Sequence, residues 1–559
     1  MRSSSSYLPG DQKRDEIRLL IGREVERCHQ GILRARETFR ASALVVEGHD
    51  CREAGHAAAV HVRACAGPSP RFDMVMKLAP PFALANSCSL RVACVRDQGG
   101  EKNGKWEVYS MKHHIELLLE RAGRLAAKSS NALLLTTLMG AGALACSDAA
   151  PLAEDLGEAT QHVRGRLNNN HPFANEGGAA ATFSTAGFVD LQNEFHTPQG
   201  TNGRSCGTCH LPESGWSINP CQIEALFAKT AGTAPLFNPL DANSATADVS
   251  TPAARRASYS MLRSGLFRRG ANLPATAEYT IVAVDDPLHA GGSSTRFEFF
   301  RRPLATANFH LALNVGWHSQ NGQTATPPPT AGLTAQAVGN VTGAQQGAPA
   351  SAEVIDAIVT YESQLSFAQL IAHRAGRLDK CGGRGGPELL ASQSFVDAPF
   401  DLFDAWAAPS HGCGSSPHRR QIARGQALFN ATNPGGGSCR GCHNAANNGS
   451  NVNGTLFDIG ASDADKREPG MPLYTLMQTS TGEIKQTTDP GRAAAGTGTW
   501  GTLNRFKVPS MRGLAARAPY FHNGIAKTLL DVVKHYEEKL GFVYTPQEEE
   551  DLVAFLNAL

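Results

Sequence analysis

The sequence predicts a mainly α-helical protein of two similar halves, with long loops and a small β insertion in the first half. A Cys-x-x-Cys-His unit occurs twice, at residues 206–210 and 439–443. Each unit is predicted to follow a helix and to be followed, after a long excursion, by an amphipathic helix that closes the half. In the first excursion, residues 278–284 alternate and are rich in β-forming residues, which predicts a small hairpin.

The closing helices are indicated by their caps and by the spacing of their apolar residues. Ser351 is expected to cap a helix that runs through Leu370. The last helix opens at Thr545, where Thr-Pro-Gln-Glu is a capping box with proline at the first helical position. The two halves therefore read as a duplicated unit.

The approaches to the two units are also predicted to be helical. Phe195 follows Phe188 and Leu191 at helical spacing, and apolar residues recur between 422 and 429. By contrast, residues 320–350 are rich in Pro, Gly, Thr, Ala and Gln, with three consecutive prolines. This composition predicts a loop without regular structure.

The spacing within each unit is that of the attachment signature for a c-type haem. Two thiols one helical turn apart can each form a thioether with a haem vinyl group, and the next residue places an imidazole under the iron. The residues concerned are Cys206, Cys209 and His210 in the first unit and Cys439, Cys442 and His443 in the second. The alternative is a zinc site or a redox dithiol, but zinc sites pair two Cys-x-x-Cys units about 15–20 residues apart. The sequence thus predicts two covalently bound haem c groups in two cytochrome c-like haem domains.

The composition describes a soluble chain with room for two or three domains: 559 residues, a formal charge of +1 and 41 % hydrophobic residues. Nucleic acid is excluded as an expected partner because no basic excess is present. The N-terminal haem c domain is expected at residues 147–375, a connection at 376–430 and the C-terminal haem c domain at 431–559.

The N-terminal region is interpreted as an extension followed by a targeting segment. Residues 1–110 show no sustained strand alternation and are expected to be disordered or non-native. Residues 111–146 contain a positive region and a short apolar run that ends in Ala-Leu-Ala, which predicts a signal peptide and export to the periplasm. A buried core helix behind a disordered arm is the alternative. Cys146 follows the cleavage signal directly and would anchor the protein to a membrane only if it were lipidated.

Three further cysteines lie outside the two units, and their pairing is considered next. Cys381 and Cys413 are candidates for one disulfide, since structural disulfides persist in the periplasm. Cys221 is expected to be unpaired and buried.

Two C-terminal runs carry a family resemblance: Phe-Lys-Val-Pro-Ser-Met-Arg-Gly-Leu at 506–514 and Ala-Pro-Tyr-Phe-His-Asn-Gly at 518–524. Here the sequence resembles the bacterial di-haem cytochrome c peroxidases and their MauG-like relatives, over roughly residues 183–559. Residues 200–204 and 488–492 are similar to a long-chain branch of that family. The resemblance implies a peroxidatic first haem and an electron-relaying second haem.

The resemblance also implies a tryptophan between the haems. Trp317 stands in that position, but His318, Ser319 and Gln320 replace the Asp-Gly-Arg of the family. A core aromatic is the alternative role of Trp317.

Three residues are candidates for the far side of the second haem. Tyr536 lies on the predicted buried face of a helix starting near Thr528 and aligns with a position where peroxidases carry Met and MauG-like proteins Tyr, so it is favoured. His535 points about 100° away on the same helix. Met511 is expected to pack in the core, and a Tyr536 that merely packs is the remaining interpretation.

No histidine follows His210 until His289, so an open sixth position is expected at the first haem. Gln336 loosely matches a glutamine of the family's distal pocket, with a plain loop glutamine as the equal alternative. Gln345 and Gln346 stand where relatives have a carboxylate or histidine, so no acid or base is assigned.

The expected function is that of a periplasmic di-haem oxidoreductase that reduces hydrogen peroxide at the first haem with electrons relayed through the second. The electron donor would be a small cytochrome c or a cupredoxin. The alternatives are a MauG-like oxidase of a partner protein and a non-catalytic di-haem electron carrier. The family also suggests a calcium ion near Lys507 and Pro509.

Overall fold

The computed structural model describes residues 165–408 and 416–559, together with three strands nearer the N-terminus. These strands are β1 (Leu44–Glu47), β2 (Arg71–Val75) and β3 (Ser89–Cys94), and they form an antiparallel sheet in the order β1-β3-β2. They lie in a compact unit of residues 1–137, where the sequence shows no sustained strand alternation. The signal peptide and Cys146 lie outside the described residues.

All other described elements belong to a second unit, residues 138–559. Its strands are β4 (Arg166–Asn168), β5 (Pro172–Asn175), β6 (Gly178–Ser184), β7 (Phe188–Asp190), β8 (Phe267–Asn272), β9 (Tyr279–Asp285), β10 (Arg296–Arg301), β11 (Leu365–Ala372), β12 (Gly376–Arg377), β13 (Leu456–Phe457), β14 (Leu473–Gln478), β15 (Ile484–Thr487) and β16 (Phe506–Lys507). Its α-helices are α1 (Pro220–Thr230), α2 (Pro252–Ser258), α3 (Ser260–Arg263), α4 (Thr330–Gly339), α5 (Ala352–Gln364), α6 (Pro387–Ala391), α7 (Pro417–Asn430), α8 (Cys439–Cys442), α9 (Leu529–Leu540) and α10 (Pro546–Asn557). The unit therefore has more strand than the mainly α-helical prediction allows.

The approach to the first Cys-x-x-Cys-His unit is built from strands, so the predicted helix there is wrong. β4 pairs with β7, and β5 pairs with β6 through a turn at Glu176 and Gly177. The small side chains of β6 are buried on both faces, which suits a strand enclosed between other elements. Phe195 lies on a short 3-10 helix, Glu194–His196.

The closing helix of the first half begins as predicted but ends early. Ser351 caps α5 by accepting a hydrogen bond from the backbone N–H of Val354. The helix stops at Gln364, and the residues up to Ala372 form β11 instead of two more turns. β11 pairs antiparallel with β6, and nearly all of its side chains are buried. Pairing with a strand far earlier in the chain therefore overrides the local helical pattern.

The small β insertion spans both halves. β8 and β10 pair with each other, but β9, which lies between them in sequence, pairs with β14 of the second half. The order of that sheet is β15-β14-β9. The hairpin predicted around residues 278–284 is therefore replaced by a sheet that joins the two halves.

The predicted loop at residues 320–350 contains regular structure. α4 begins directly after the three prolines, and a π-helix, Asn340–Ala344, continues it. Leu333, Ala337 and Val341 are buried in the core that also contains Cys206. The prolines end before the first helical turn, where missing N–H groups cost nothing.

The helices of the second half follow the sequence closely. α7 covers the predicted approach, and capping boxes at Thr528 and Thr545 open α9 and α10. α7 packs on α10, and the shared core also takes Phe400 and Trp406 from the region between the halves.

The structure changes one of the cysteine assignments. Cys221, expected to be unpaired, is disulfide-bonded, and so is Cys381. Cys413 lies outside the described residues, so its pairing with Cys381 stays a prediction. Within the described part of the chain, no helix is both long and apolar enough to cross a membrane.

Candidate functional site

The two Cys-x-x-Cys-His units share one backbone arrangement. The first begins with a short 3-10 helix, Cys206–Thr208, and the second with the single turn α8. In each unit the backbone N–H of the histidine donates to the carbonyl of the first cysteine, over 3.1 Å in both. The turn sets the thiols and the imidazole close together in each half.

Both imidazoles are held in the same way. Nδ1 of His210 lies 2.8 Å from the carbonyl oxygen of Trp216, and Nδ1 of His443 lies 2.7 Å from that of Gly449. A carbonyl can only accept, so Nδ1 carries the proton in each ring and Nε2 carries the lone pair. Trp216 and Gly449 are both left-handed, with φ of 58° and 75°, and each lies six residues after its histidine. The backbone that orients the histidine is therefore similar in the two halves, although the residues differ.

Burial keeps the donor groups uncharged. It lowers the pKa of His210 to about 4 and also lowers the pKa of His443. It raises the pKa of Cys209 to about 11, and raises that of Cys206 as well. Protein surrounds both imidazoles, yet each keeps accessible surface. Neutral imidazoles with a lone pair on Nε2 are competent metal ligands.

These donor sets fit a covalently attached haem better than zinc. Zinc needs four convergent ligands, and no group of three or more His, Cys, Asp and Glu side chains in the described structure could hold a metal ion. The four thiols are not disulfide-bonded. Two thiols for thioether bonds and one neutral imidazole per unit are what a c-type haem requires.

The structure places Tyr536 beside the second unit. Burial raises the pKa of its phenol, and the nearby Cys439 and Cys442 add to the rise. Protein surrounds Tyr536, yet the side chain keeps accessible surface, as the two imidazoles do. Nε2 of His535, in contrast, lies 2.8 Å from the carbonyl oxygen of Ile459.

Met511 packs in the core of the second half. Its side chain touches Gly449, whose carbonyl holds the imidazole of His443. Met511 is 8 % exposed. Its contact is therefore with the backbone that orients the proximal histidine.

Of the glutamines considered for the first site, only Gln345 is in contact with the first unit. Gln336 is on α4, and its Oε1 is buried with no hydrogen-bond partner among the described residues. Gln345 is fully buried, with Nε2 3.9 Å from Sγ of Cys206 and Oε1 accepting from the backbone N–H of Gln199. A Cβ at Gly200 would lie 1.9 Å from the carbonyl oxygen of Gln345, so this close approach requires glycine. Gln346 is exposed.

Glu362 is an acid near the first unit that sequence reasoning missed. It is 1 % exposed, and neither carboxyl oxygen has a partner in the described structure. Burial raises its pKa to about 8, so the carboxyl is largely protonated at neutral pH. Its charge is, after burial, the next cause of the raised pKa of Cys206. The sequence does contain one sign of this buried acid. Glu362 follows Ile358 by four positions, which places it on the apolar face of α5.

Trp317 lies between segments of the two halves. Its indole N–H donates to the carbonyl of Arg302 over 2.7 Å, and its own carbonyl accepts from the N–H of Lys507 over 2.8 Å. Its ring is 6.1 Å from that of His522, which stacks on Phe506 at 3.8 Å. The residues around Trp317 thus include the two runs that carry the family resemblance.

A buried ion pair lies beside this tryptophan. Arg301 donates to both carboxyl oxygens of Asp489, over 2.6 and 2.7 Å, and to Nδ1 of His318 over 2.6 Å. A guanidinium only donates, so Nδ1 of His318 is unprotonated. Burial lowers the pKa of His318 to about 3. His318 thus satisfies Arg301 in the stretch where the family's Asp-Gly-Arg is missing.

The surroundings of Lys507 do not fit a calcium ion. Its amine is buried and donates to the carbonyl of Asn314 over 3.0 Å, and burial lowers its pKa to about 8. An ammonium group at this position repels a divalent cation, and calcium prefers several oxygen ligands.

Each unit thus has the donor set that a c-type haem requires, and three curated proteins match parts of the chain. Cytochrome-c peroxidase IdrP2 of Denitromonas iodatirespirans is 37 % identical over 97 residues, which are 16 % of this chain and 24 % of that protein. Methylamine utilization protein MauG of Methylophilus methylotrophus is 29 % identical over 170 residues, or 28 % and 41 % of the two chains. Cytochrome-c peroxidase IdrP1 of Pseudomonas sp. (strain SCT) is 29 % identical over 155 residues, or 24 % and 39 %.

These matches span less than half the length of each relative. They support a relationship with cytochrome-c peroxidases and MauG, and an oxidoreductase activity at that coarse level. No protein-family model matches the sequence.

Two solved structures are similar over about half of the chain. A MauG-like protein associated with microbial copper homeostasis has 17 % identity and a TM-score of 0.28, covering 48 % of this chain and 75 % of that one. Hydrazine synthase of Kuenenia stuttgartiensis has 14 % identity and a TM-score of 0.26, covering 47 % and 73 %. Scores of this size carry no argument.

Proposed function

We propose that the chain is a periplasmic di-haem oxidoreductase that reduces hydrogen peroxide at the first-half site with electrons relayed from the second-half site. The observation that carries the proposal is the difference between the two units. The second has a tyrosine beside its thiols, whereas the first has the unpartnered carboxyl of Glu362 in its surroundings. Such a group suits a small polar oxidant better than a fixed protein ligand.

The first-half site is proposed to hold haem through Cys206, Cys209 and Nε2 of His210. Bound haem would supply the iron and the redox equivalents that peroxide reduction needs. Glu362 holds a proton at neutral pH and is the group we assign to deliver it to the oxygen that leaves as water. The free Oε1 of Gln336 can accept a hydrogen bond from peroxide.

At the second-half site, Nε2 of His443 and the phenolic oxygen of Tyr536 are the groups that would hold the iron of a bound haem. Of the other two candidates, His535 is engaged by a backbone carbonyl and Met511 packs against Gly449. An oxygen ligand stabilises the oxidised metal, which suits a site that shares oxidising equivalents with its partner site.

Trp317 is proposed to relay electrons between the two sites. Its indole N–H donates to the carbonyl of Arg302 in the first half, and its backbone carbonyl accepts from Lys507 in the second. The buried pair of Arg301 and Asp489 holds the neighbouring segments in place.

The proposed compartment is the periplasm, with a small cytochrome c or a cupredoxin as electron donor. Disulfide bonds at Cys221 and Cys381 support an oxidising compartment. A membrane association would require lipidation of Cys146.

The proposal is tested by producing the protein with haem-maturation machinery and measuring its mass and its ferric electron paramagnetic resonance spectrum. We expect a mass increment of two haems, and one haem fewer in each of the double variants C206S/C209S and C439S/C442S. We also expect a high-spin signal that disappears on addition of peroxide. Two low-spin haems that are inert to peroxide would leave only the electron carrier.

A MauG-like oxidase of a partner protein is the second candidate, and Tyr536 together with the partial match to MauG favours it. The two enzymes differ in their consumption of peroxide. Rapid consumption that depends on a reduced small cytochrome supports the peroxidase. Slow consumption that no cytochrome accelerates, with a stable oxidised protein, supports the oxidase.

A further inference from the structure

Tyr361 makes a hydrogen bond that no other described tyrosine makes. Its hydroxyl lies 3.1 Å from Nε2 of His196, and the side chain is 4 % exposed. Four other tyrosine hydroxyls donate to backbone carbonyls: Tyr259, Tyr279, Tyr474 and Tyr520. A carbonyl cannot take up the phenol proton, whereas an imidazole can.

The protonation states of the two residues are complementary. Burial lowers the pKa of His196 to about 4, against the opposing charge of Asp190, so the ring is neutral at neutral pH. Burial also raises the pKa of Tyr361, so the phenol keeps its proton. A neutral imidazole carries its single proton on one of its two nitrogens, and the redox pair assigns that proton to Nδ1, so that the phenol donates to Nε2.

The pair lies directly against the first Cys-x-x-Cys-His unit. A Cβ on Gly207, between the two thiols, would lie 2.5 Å from Nδ1 of His196. The ring of Phe195 is 6.4 Å from that of His210 and 5.4 Å from that of Tyr361. Trp216, whose carbonyl holds His210, lies 5.8 Å from Tyr361. Packed aromatic rings thus connect the proximal ligand of the first site to the phenol.

We propose that Tyr361 and His196 form a proton-coupled redox pair that supplies one electron to the first-half site. The inference rests on the proposed function, because hydrogen peroxide is the oxidant. Peroxide takes up two electrons and two protons as its O–O bond breaks and two waters form. One electron comes from Tyr361, whose O–H bond breaks as the proton passes to Nε2 of His196, and a tyrosyl radical remains.

The other electron comes from the second-half site through Trp317, and the two protons come from Glu362 and from solvent. Tyr361 also lines a surface cavity of about 380 Å³ together with Asp190 and Asp356. The electron donor of the proposed function, a small cytochrome c or a cupredoxin, returns one electron to the tyrosyl radical, and His196 returns the proton.

The test is rapid freezing of the ferric holoprotein after addition of peroxide, followed by electron paramagnetic resonance. We expect a tyrosyl radical in the wild type, identified by its change in shape when ring-deuterated tyrosine is incorporated. The radical should be lost in Y361F and reduced at least tenfold in H196F, which keeps an aromatic ring but has no proton acceptor. Y259F is the matched control, because its buried phenol is in the same half and donates to a carbonyl, so its radical yield should equal that of the wild type.

The haem absorption spectrum is recorded in parallel and separates the two ways to fail. A haem spectrum that responds to peroxide without a tyrosyl radical, or with a radical that persists in Y361F, would overturn the redox pair and leave the proposed function standing. A haem spectrum that does not respond to peroxide would overturn both.

Discussion

Two histidines in different halves reach the same geometry from different residues. The carbonyl that accepts from Nδ1 belongs to Trp216 in one half and to Gly449 in the other, and both residues are left-handed. Glycine adopts this conformation without cost, whereas a bulky residue is strained by roughly 1–3 kcal/mol. Trp216 is fully buried, and its indole N–H donates to Thr182 over 2.9 Å, which holds the strained conformation.

At the second site we expect Tyr536→Phe to change the ferric spectrum of one haem only, because it removes the proposed oxygen ligand and keeps the ring. The measurement is electron paramagnetic resonance and absorption of the ferric protein. Tyr544→Phe is the control. The hydroxyl of Tyr544 lies 3.7 Å from Sγ of Cys439, so this variant also loses a contact near the second unit. Identical spectra for Tyr536→Phe and the wild type would exclude the tyrosine as a ligand.

Glu362 makes stability depend on pH. Its pKa in the folded protein is about 8 against an ordinary 4.5, so between these values the folded state keeps a proton that the unfolded state has released. The free energy of unfolding should therefore fall as pH rises through this window, by up to about 1.4 kcal/mol per unit. Glu362→Gln does not titrate and should lack this fall.

The comparison is made by urea denaturation between about pH 6.5 and pH 8, above the range in which the buried histidines contribute. Equal pH dependence of the wild type and Glu362→Gln would show that the carboxyl is ionised in the folded protein. Its assignment as a proton donor would then be withdrawn.

Elements that are defined locally were predictable from the sequence, and elements that depend on distant partners were not. The capping boxes at Thr528 and Thr545 place every group of the signature within four residues, and both helices form where expected. β11 and β9 pair with strands that are remote in sequence, so the local pattern indicated a helix for one and a hairpin for the other.

The residues of the candidate site also fall into those that were predictable from the sequence and those that were not. The thiols and proximal histidines were identifiable because the motif is contiguous. Glu362 and His196 were not, because their significance comes from lying next to Cys206 and Tyr361 in space. The four-residue spacing of Glu362 from Ile358 was an available sign of a buried face, but it could not show that both carboxyl oxygens lack a partner in the described structure.

The sheet shared between the halves provides a test at the level of an element. Leu476 on β14 is fully buried in the core that the two halves share, so Leu476→Ala should destabilise the protein by about 2–5 kcal/mol. Ile484→Ala on the adjacent β15 is the control, because Ile484 is 52 % exposed, and its change should stay within about 0.5 kcal/mol. Chemical denaturation measures both, and equal effects would contradict a buried sheet at this place.

At the scale of the whole described unit, charge as well as sheet pairing joins the two halves. Arg301 of β10 and Asp489 are both buried and make two short hydrogen bonds. Burial by itself raises the pKa of Asp489, but the charge and hydrogen bonds of Arg301 outweigh it and hold the pKa at about 2. The stabilisation from this pair is present above the ordinary value of 3.8 and is lost as pH falls towards 2.

Asp489→Asn should cost about 3–5 kcal/mol of unfolding free energy near neutral pH, because it leaves the Arg301 guanidinium buried without a counter-charge. Asp401→Asn is the control, since the pair of Arg384 and Asp401 is about half exposed and should contribute at most about 1 kcal/mol. Denaturation at neutral pH compares the two variants. A small loss in Asp489→Asn would mean that water or a neighbouring group compensates Arg301.

The pairing of β9 with β14 also determines whether the two halves can be expressed as separate fragments. A gene fragment that ends before the second Cys-x-x-Cys-His unit would produce a chain in which β9 has an unsatisfied edge, and exposed edges of this kind recruit other chains. The complementary fragment would leave β14 open in the same way. Although the two Cys-x-x-Cys-His units suggest two independent domains, neither half is expected to remain soluble when expressed alone.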